Sequence, residues 1–173
     1  AGITHKILLG SKTYLNTSLA ASGTVNTMFG ERYDDLLVLR PNWDFTDKSG
    51  RVGVNTFLNH KFSAKHTVRT GVNYSKILYN IDLSSTINDQ PETFQNFVKQ
   101  KGSSNYMEFY VQSKYSLTQN LTANTGVNFN YFALNGNYSF DPRFSLKWDF
   151  TQNQAISFGY GKHSQLEELK IYL

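Results

Sequence analysis

The residues of this chain whose types suit chemistry are four histidines, a pair of adjacent glutamates and a short glycine motif. His5, His60, His66 and His163 each offer an imidazole nitrogen to a metal, but they stand far apart in sequence with no paired ligand spacing, so they read as surface or interfacial side chains. Glu167-Glu168 has the composition of an acid/base pair. Neighbouring residues on a strand point to opposite faces, so the two carboxylates read as solvated loop charge. Gly159-Tyr160-Gly161 lacks the third glycine and the strand-to-helix turn of a dinucleotide fingerprint. It reads instead as a strand with small residues on its inner face. Without cysteine there is no thiolate nucleophile, thiolate zinc site or disulfide scaffold. Four Asn-X-Ser/Thr matches, at Asn16, Asn73, Asn120 and Asn137, arise by chance in a chain this rich in Asn, Ser and Thr. No enzyme is expected, and no cofactor.

Composition explains why catalytic constellations are missing. Charged residues make up 17% of the 173 residues, below the roughly 25% of a soluble domain. Mean hydropathy is nevertheless −0.45, so uncharged polar residues fill the gap, mixed with 15% aromatics. Only 3 prolines and dispersed aromatics argue for a folded chain. The balance of 17 − 13 = +4 looks basic, but the cations are scattered, so no nucleic-acid arm is indicated.

No apolar run approaches the ~20 residues of a membrane helix. The longest, Ile7-Leu8-Leu9 and Leu36-Leu37-Val38-Leu39, are strand-sized. The periodicity is two throughout. Met107, Phe109 and Val111 alternate with Glu108, Tyr110 and Gln112; Val127, Phe129 and Tyr131 alternate with Gly126, Asn128 and Asn130; Phe144, Leu146 and Trp148 alternate with Ser145, Lys147 and Asp149. One face of each stretch is greasy and the other wet. Several stretches run past ten residues, longer than the 5–6 usual in globular proteins and suited to the ~9–11 that a tilted strand needs to cross hydrocarbon. Eight strands are expected, at about 2–9, 13–28, 51–63, 67–82, 106–116, 121–134, 138–150 and 155–164.

Connections alternate between tight and loose. Short polar turns are expected after Leu9, Phe62, Ser116 and Phe150, and longer links over 30–48, 84–105 and beyond Ser164. Gln90–Gln100 has the makings of a short helix in the longest link, and Asn135-Gly136 is a two-residue hairpin signal. Phe62, Tyr115 and Trp148 precede tight turns, where aromatic rings would form an interfacial girdle. Short turns on one rim and long loops on the other are the plan of an outer-membrane barrel. The fold class is all-β, a transmembrane antiparallel up-and-down barrel.

The stretches Thr4–Leu15 and Gln154–Gln165, with the turns between them, resemble the barrel region of TonB-dependent receptors, closest to large receptors with a carboxypeptidase-regulatory-like N-terminal domain. The resemblance spans essentially the whole chain. It implies a bacterial outer-membrane location, a barrel of about 22 strands closed around a plug, uptake of a scarce ligand, and energy relayed by TonB. Its implied partners are outer-membrane lipid, the remainder of the barrel and the plug, the TonB complex acting through that plug, and a small ligand. Twenty-two strands of that length need about 240 residues before any loop. The chain is therefore expected to be one roughly eight-strand segment, residues 1–173, without a plug. Ala1-Gly2-Ile3, without initiator Met or signal segment, and Lys170-Ile171-Tyr172-Leu173, without a terminal Phe, fit that expectation.

Ligand contact is expected from the loops of the loose rim. Phe94, Asn96, Phe97 and Lys99 form one candidate set, and Arg32, Tyr33 and Asp34, with Asp35, a second. For Phe94 and Phe97, packing of the loop onto its neighbours is an equal alternative. Arg in place of Phe109, Val127 or Leu58 should cost about 2–4 kcal/mol near a bilayer midplane, whereas Arg at Asn128 or Gln112 should be mild. Two other readings stay open: a complete small eight-stranded barrel with a structural or adhesion role, and a soluble β-barrel or sandwich that binds a ligand.

Overall fold

A computed structural model describes residues 1–87 and 90–167, with the backbone alone at 91 and 92. Glu168 of the glutamate pair and Lys170–Leu173 lie outside the described residues. The chain forms eight strands: β1 (Gly2–Leu8), β2 (Thr13–Tyr33), β3 (Leu39–Lys61), β4 (His66–Ile87), β5 (Gln90–Ser116), β6 (Leu121–Phe132), β7 (Asn137–Thr151) and β8 (Gln154–Gly161). They lie side by side in the order β1 to β8, an open up-and-down sheet. Each strand neighbours the one before it in sequence, so every ladder is closed by a local hairpin.

The tight turns stand where the sequence places them because their side chains cap their own backbone. Ser63 Oγ accepts from Lys65 N at 3.2 Å and Thr118 Oγ1 accepts from Asn120 N at 3.2 Å. Gly10 supplies the positive φ, 106°, that the first turn requires. Successive hairpins are then stitched along this rim by Lys61 N to Lys12 O, Ser116 N to Lys65 O and Asp149 N to Asn120 O, each 2.8 Å.

At the other rim the structure corrects the sequence. The links expected over 30–48 and 84–105 are mostly strand, since β2 runs to Tyr33, β3 starts at Leu39, and β4 and β5 span 66–87 and 90–116. The helix expected at Gln90–Gln100 is strand as well. Phe94, Phe97 and Val98 do repeat at helical spacing. Strand addition wins because β4 offers this backbone a continuing ladder, and buried or paired backbone groups need partners. Asn96 donates across to Asp82 Oδ1 and Ser84 Oγ, which fixes the pairing. Asn135-Gly136 closes a four-residue turn, 133–136, in place of a two-residue one, with Gly136 at φ 70° and Asn135 Oδ1 accepting from Asn137 N. β2 to β5 thus have 21, 23, 22 and 27 residues, about twice what a tilted strand needs to cross hydrocarbon.

The described residues divide into two compact units, one of residues 1–20, 53–75 and 105–166, the other of 21–52, 76–87, 90–104 and 167. In the second, Ile77 and Ile81 are buried, Thr86 Oγ1 donates to Asn42 Oδ1 at 2.6 Å, and the Trp43 ring occupies the place a side chain at Gly30 would take. In the first, the buried side chains are mainly polar: Ser75, Asn128 and Asp141, with Phe132.

Candidate functional site

The register of β5 to β8 sorts their side chains into two faces, with Ser113 and Thr125 the polar residues on the first and Phe132 the apolar one on the second. On one face lie Met107, Tyr131 and Tyr138; Phe109, Phe129 and Phe140; Val111, Val127 and Pro142; then Phe144 beside Tyr160, Leu146 beside Phe158, and Trp148 beside Ile156. On the other lie Glu108, Asn130 and Ser139; Tyr110, Asn128 and Asp141; Gln112, Gly126, Arg143 and Gly161; and Lys114, Asn124, Ser145 and Gly159. Strands expose alternate residues to opposite sides, so the alternation seen in sequence becomes two chemically distinct surfaces.

Burial is the reverse of that in a water-soluble protein. Tyr138, Phe158 and Tyr160 are 75%, 62% and 72% exposed, whereas Asp141 and Asn128 are 1% and 7% exposed. The polar side chains meet these conditions by bonding to one another. Asn128 Nδ2 donates to Glu108 Oε1 at 2.9 Å, and Tyr106 OH donates to Asn130 Oδ1 at 2.9 Å. Asn130 Nδ2 donates to Ser139 Oγ and to Asp141 Oδ2 at 3.0 and 3.2 Å. Asp141 also accepts from the Ser164 amide at 2.9 Å and the Ser164 hydroxyl at 2.7 Å, which pins the segment after β8 against β7. Tyr110 packs its ring into the space left by Gly71; a side chain there would overlap the ring.

A hollow of about 670 Å³ opens on this polar face. Arg69, Lys114, Arg143, Lys162 and His163 line it together with Asn and Ser side chains of β3, β6 and β7. The polar groups on the apolar face pair off locally instead: Thr17 with Thr56 at 3.0 Å, Thr13 with His60 at 2.6 Å, His66 with Ser113 at 3.0 Å. On the same face, at the tight-turn rim, rings run in a row from His60 to Phe62, His66 and Tyr115, with centroids 4.4, 5.2 and 5.4 Å apart. Trp148 lies 5.7 Å from Phe150. The aromatics marked in sequence ahead of the tight turns, Phe62, Tyr115 and Trp148, are therefore members of this rim, and two of the histidines belong to it as well. Among the described residues no group of three metal-ligating side chains converges.

The loop candidates fall in the second compact unit. Arg32 and Tyr33 end β2, while Phe94, Asn96, Phe97 and Lys99 lie in β5, three strands further along the sheet. Asp34 organises its own loop. Its Oδ1 accepts from Leu36 N at 3.0 Å and Val38 N at 2.8 Å, and its Oδ2 accepts from Arg40 Nε at 3.2 Å. The Val38 amide above all holds its carboxyl below its ordinary value; desolvation opposes this, and Arg40 and the Leu36 amide add to the lowering. This clasp fixes Leu37 at φ 59°, a left-handed conformation that bulky side chains avoid, and leaves Leu36 and Leu37 about four-fifths exposed. The sequence reading passed over the polar network and the basic hollow. Parity marked their residues as wet, but only the register brings Glu108, Asn128 and Asp141, or Lys114 and Arg143, onto neighbouring rows.

Comparison with curated proteins finds no match. The family described as TonB dependent receptor-like, beta-barrel, matches residues 4–165, nearly the whole chain and all eight strands. With that match, the open antiparallel sheet and its exposed apolar face agree on one assignment: the chain belongs to the TonB-dependent receptor-like β-barrel family.

Proposed function

We propose that this chain is a section of the wall of a ligand importer in the bacterial outer membrane, with its apolar face against lipid and its polar face against a hydrated lumen. The observation that carries the reading is the inverted burial: Phe158 and Tyr138 stand open while Asp141 and Asn128 are enclosed. In water that arrangement would leave a continuous apolar surface unsatisfied. In lipid it is the stable one, because the outer face needs no partner and the inner face bonds internally. The ring row at the tight-turn rim supports an interface there, where amphipathic rings rest at headgroup level. The open strand order favours a larger barrel over a complete eight-stranded one. The remaining wall, a plug and the TonB complex are the partners this reading entails. Arg32, Tyr33, Phe94, Asn96, Phe97 and Lys99 are its ligand-contacting residues, and Asp34 shapes the loop beside them.

The test is cysteine labelling in the full receptor reconstituted into vesicles; this part of the chain contributes no cysteine of its own. Nitroxides attached at Phe109→Cys and Phe129→Cys should be relaxed by oxygen, which concentrates in lipid, and those at Gln112→Cys and Asn124→Cys by a water-soluble nickel chelate. Equal responses from the two pairs would refute the placement of the faces.

A further inference from the structure

The basic hollow on the polar face is more than a wet surface, because the residues around it are arranged to keep a cation open. In the row Gln112, Gly126, Arg143, Gly161 the guanidinium-bearing strand is flanked on both sides by glycine. A Cβ at Gly161 would stand 3.1 Å from Arg143 Cγ, so a side chain there would press into the recess. The next row, Lys114, Asn124, Ser145, Gly159, continues with small and amide side chains, Asn124 Nδ2 donating to Ser145 Oγ at 3.1 Å.

Four cations, Arg69, Lys114, Arg143 and Lys162, line this space, and among the described residues no Asp or Glu does. Among the described residues, the acidic groups of β5 to β8 on the same face have hydrogen-bond or ionic partners outside the hollow: Glu108 with Asn128, Asp141 with Ser164 and Asn130, Asp149 with Lys147 at 2.8 Å. Arg69 lies over the Phe57 ring, 4.7 Å from its centroid, and Arg143 Nη2 donates to His163 Nδ1 at 2.9 Å. A guanidinium carries five N–H donors, so this contact leaves Arg143 others for a further acceptor.

Four cations lining one concavity repel one another, the Asp141 carboxylate near Lys162 offsets only part of that repulsion, and an anion relieves the rest. We propose that the hollow is a binding site for a small solute bearing carboxylate, sulfate or phosphate groups. Arg143 is its bidentate donor, Arg69, Lys114 and Lys162 supply charge, and the Asn and Ser rows bond to the solute's neutral polar groups. A volume of about 670 Å³ lies within the 300–1,000 Å³ range of small-molecule sites. The proposal rests on the reading that this face borders water inside the barrel.

The probe is citrate, with sucrose as an uncharged comparison, titrated at low ionic strength into the purified full-length receptor. Each variant is first shown to be folded by heat-modifiable migration. Saturable citrate binding is expected, with none for sucrose. Arg143→Gln should weaken it about ten-fold or more, the loss expected for hydrogen bonds to a charged group. Arg143→Lys should weaken it less, and Lys65→Gln, in the turn outside the hollow, should leave it unchanged. Absence of saturable binding, equal binding by wild type and Arg143→Gln, or occupation of the recess by an acidic segment of the receptor's own plug would each overturn the proposal. Maleimide labelling of Gln112→Cys on the same preparation separates the two readings. Labelling without citrate binding sinks the anion site alone, whereas protection from a water-soluble maleimide with no bound citrate sinks the lumen itself.

Discussion

The two faces of β5 to β8 are made by the same strands, yet they are held in opposite ways. On the apolar face, Phe109, Phe129 and Phe140 stand in register and exposed, organised by pleat and pairing alone. On the polar face, Tyr106, Glu108, Asn128, Asn130, Asp141 and Ser164 are tied by specific hydrogen bonds, and the most buried side chain among the described residues is a carboxylate. The face that dissolves in its surroundings can tolerate loose side chains. The face that is enclosed cannot, because each buried polar atom left without a partner costs about 1–3 kcal/mol.

The largest way to break this contrast is a charge on the wrong side. Phe129→Arg should destabilise the receptor by about 2–4 kcal/mol in urea unfolding from vesicles if the site lies near the midplane, and Gln112→Arg should have little effect. Asn128 no longer belongs among the tolerant positions. It is 7% exposed and holds Glu108, so Arg there would remove an amide donor and overfill the site. Next in size is Asp141→Ala, which strips the acceptor from Ser164 and Asn130 and should cost about 1–3 kcal/mol. Hydrogen exchange should show the Ser164 amide losing protection before the β7 ladder does.

Smaller effects sharpen the contrast at its margins. Phe62→Ala removes the ring between His60 and His66 and should cost about 0.5–1.5 kcal/mol of ring interaction, with reduced protection of the Phe62–Lys65 turn as the readout. The least costly is acid at the Asp34 loop. Its carboxyl is held below its ordinary value, so its stabilisation of the loop is complete above the unfolded carboxylate range. That contribution is lost as pH falls through the lowered value. Proteolysis at Leu36-Leu37 should therefore accelerate only in strong acid, and Asp34→Asn should show the faster cleavage already at neutral pH.

Much of the fold is legible along the chain because period-two alternation and turn chemistry are local. Lys114 to Leu121 can be read as strand end, Ser/Thr/Asn turn and strand start, and the structure agrees within a residue or two. The upper parts of β2 to β5 are not legible for the same reason inverted. There both parities become polar or mixed, as in Thr46–Lys48 and Ser84–Thr86, so alternation vanishes while backbone pairing continues. Phe94, Phe97 and Val98 even carry helical spacing, and a neighbouring strand outweighs it.

The chain by itself determined that alternate residues must meet two different environments and that the connections at one rim are tight, since both follow from the pleat and from short-range side-chain bonds. Only the tertiary structure decided which residues stand opposite one another. Register is a property of paired strands, and a one-residue slip would move every side chain to the other face. That choice sets Asn128 beside Asp141, seats Arg143 between two glycines, and turns a scattered positive charge into a single basic recess.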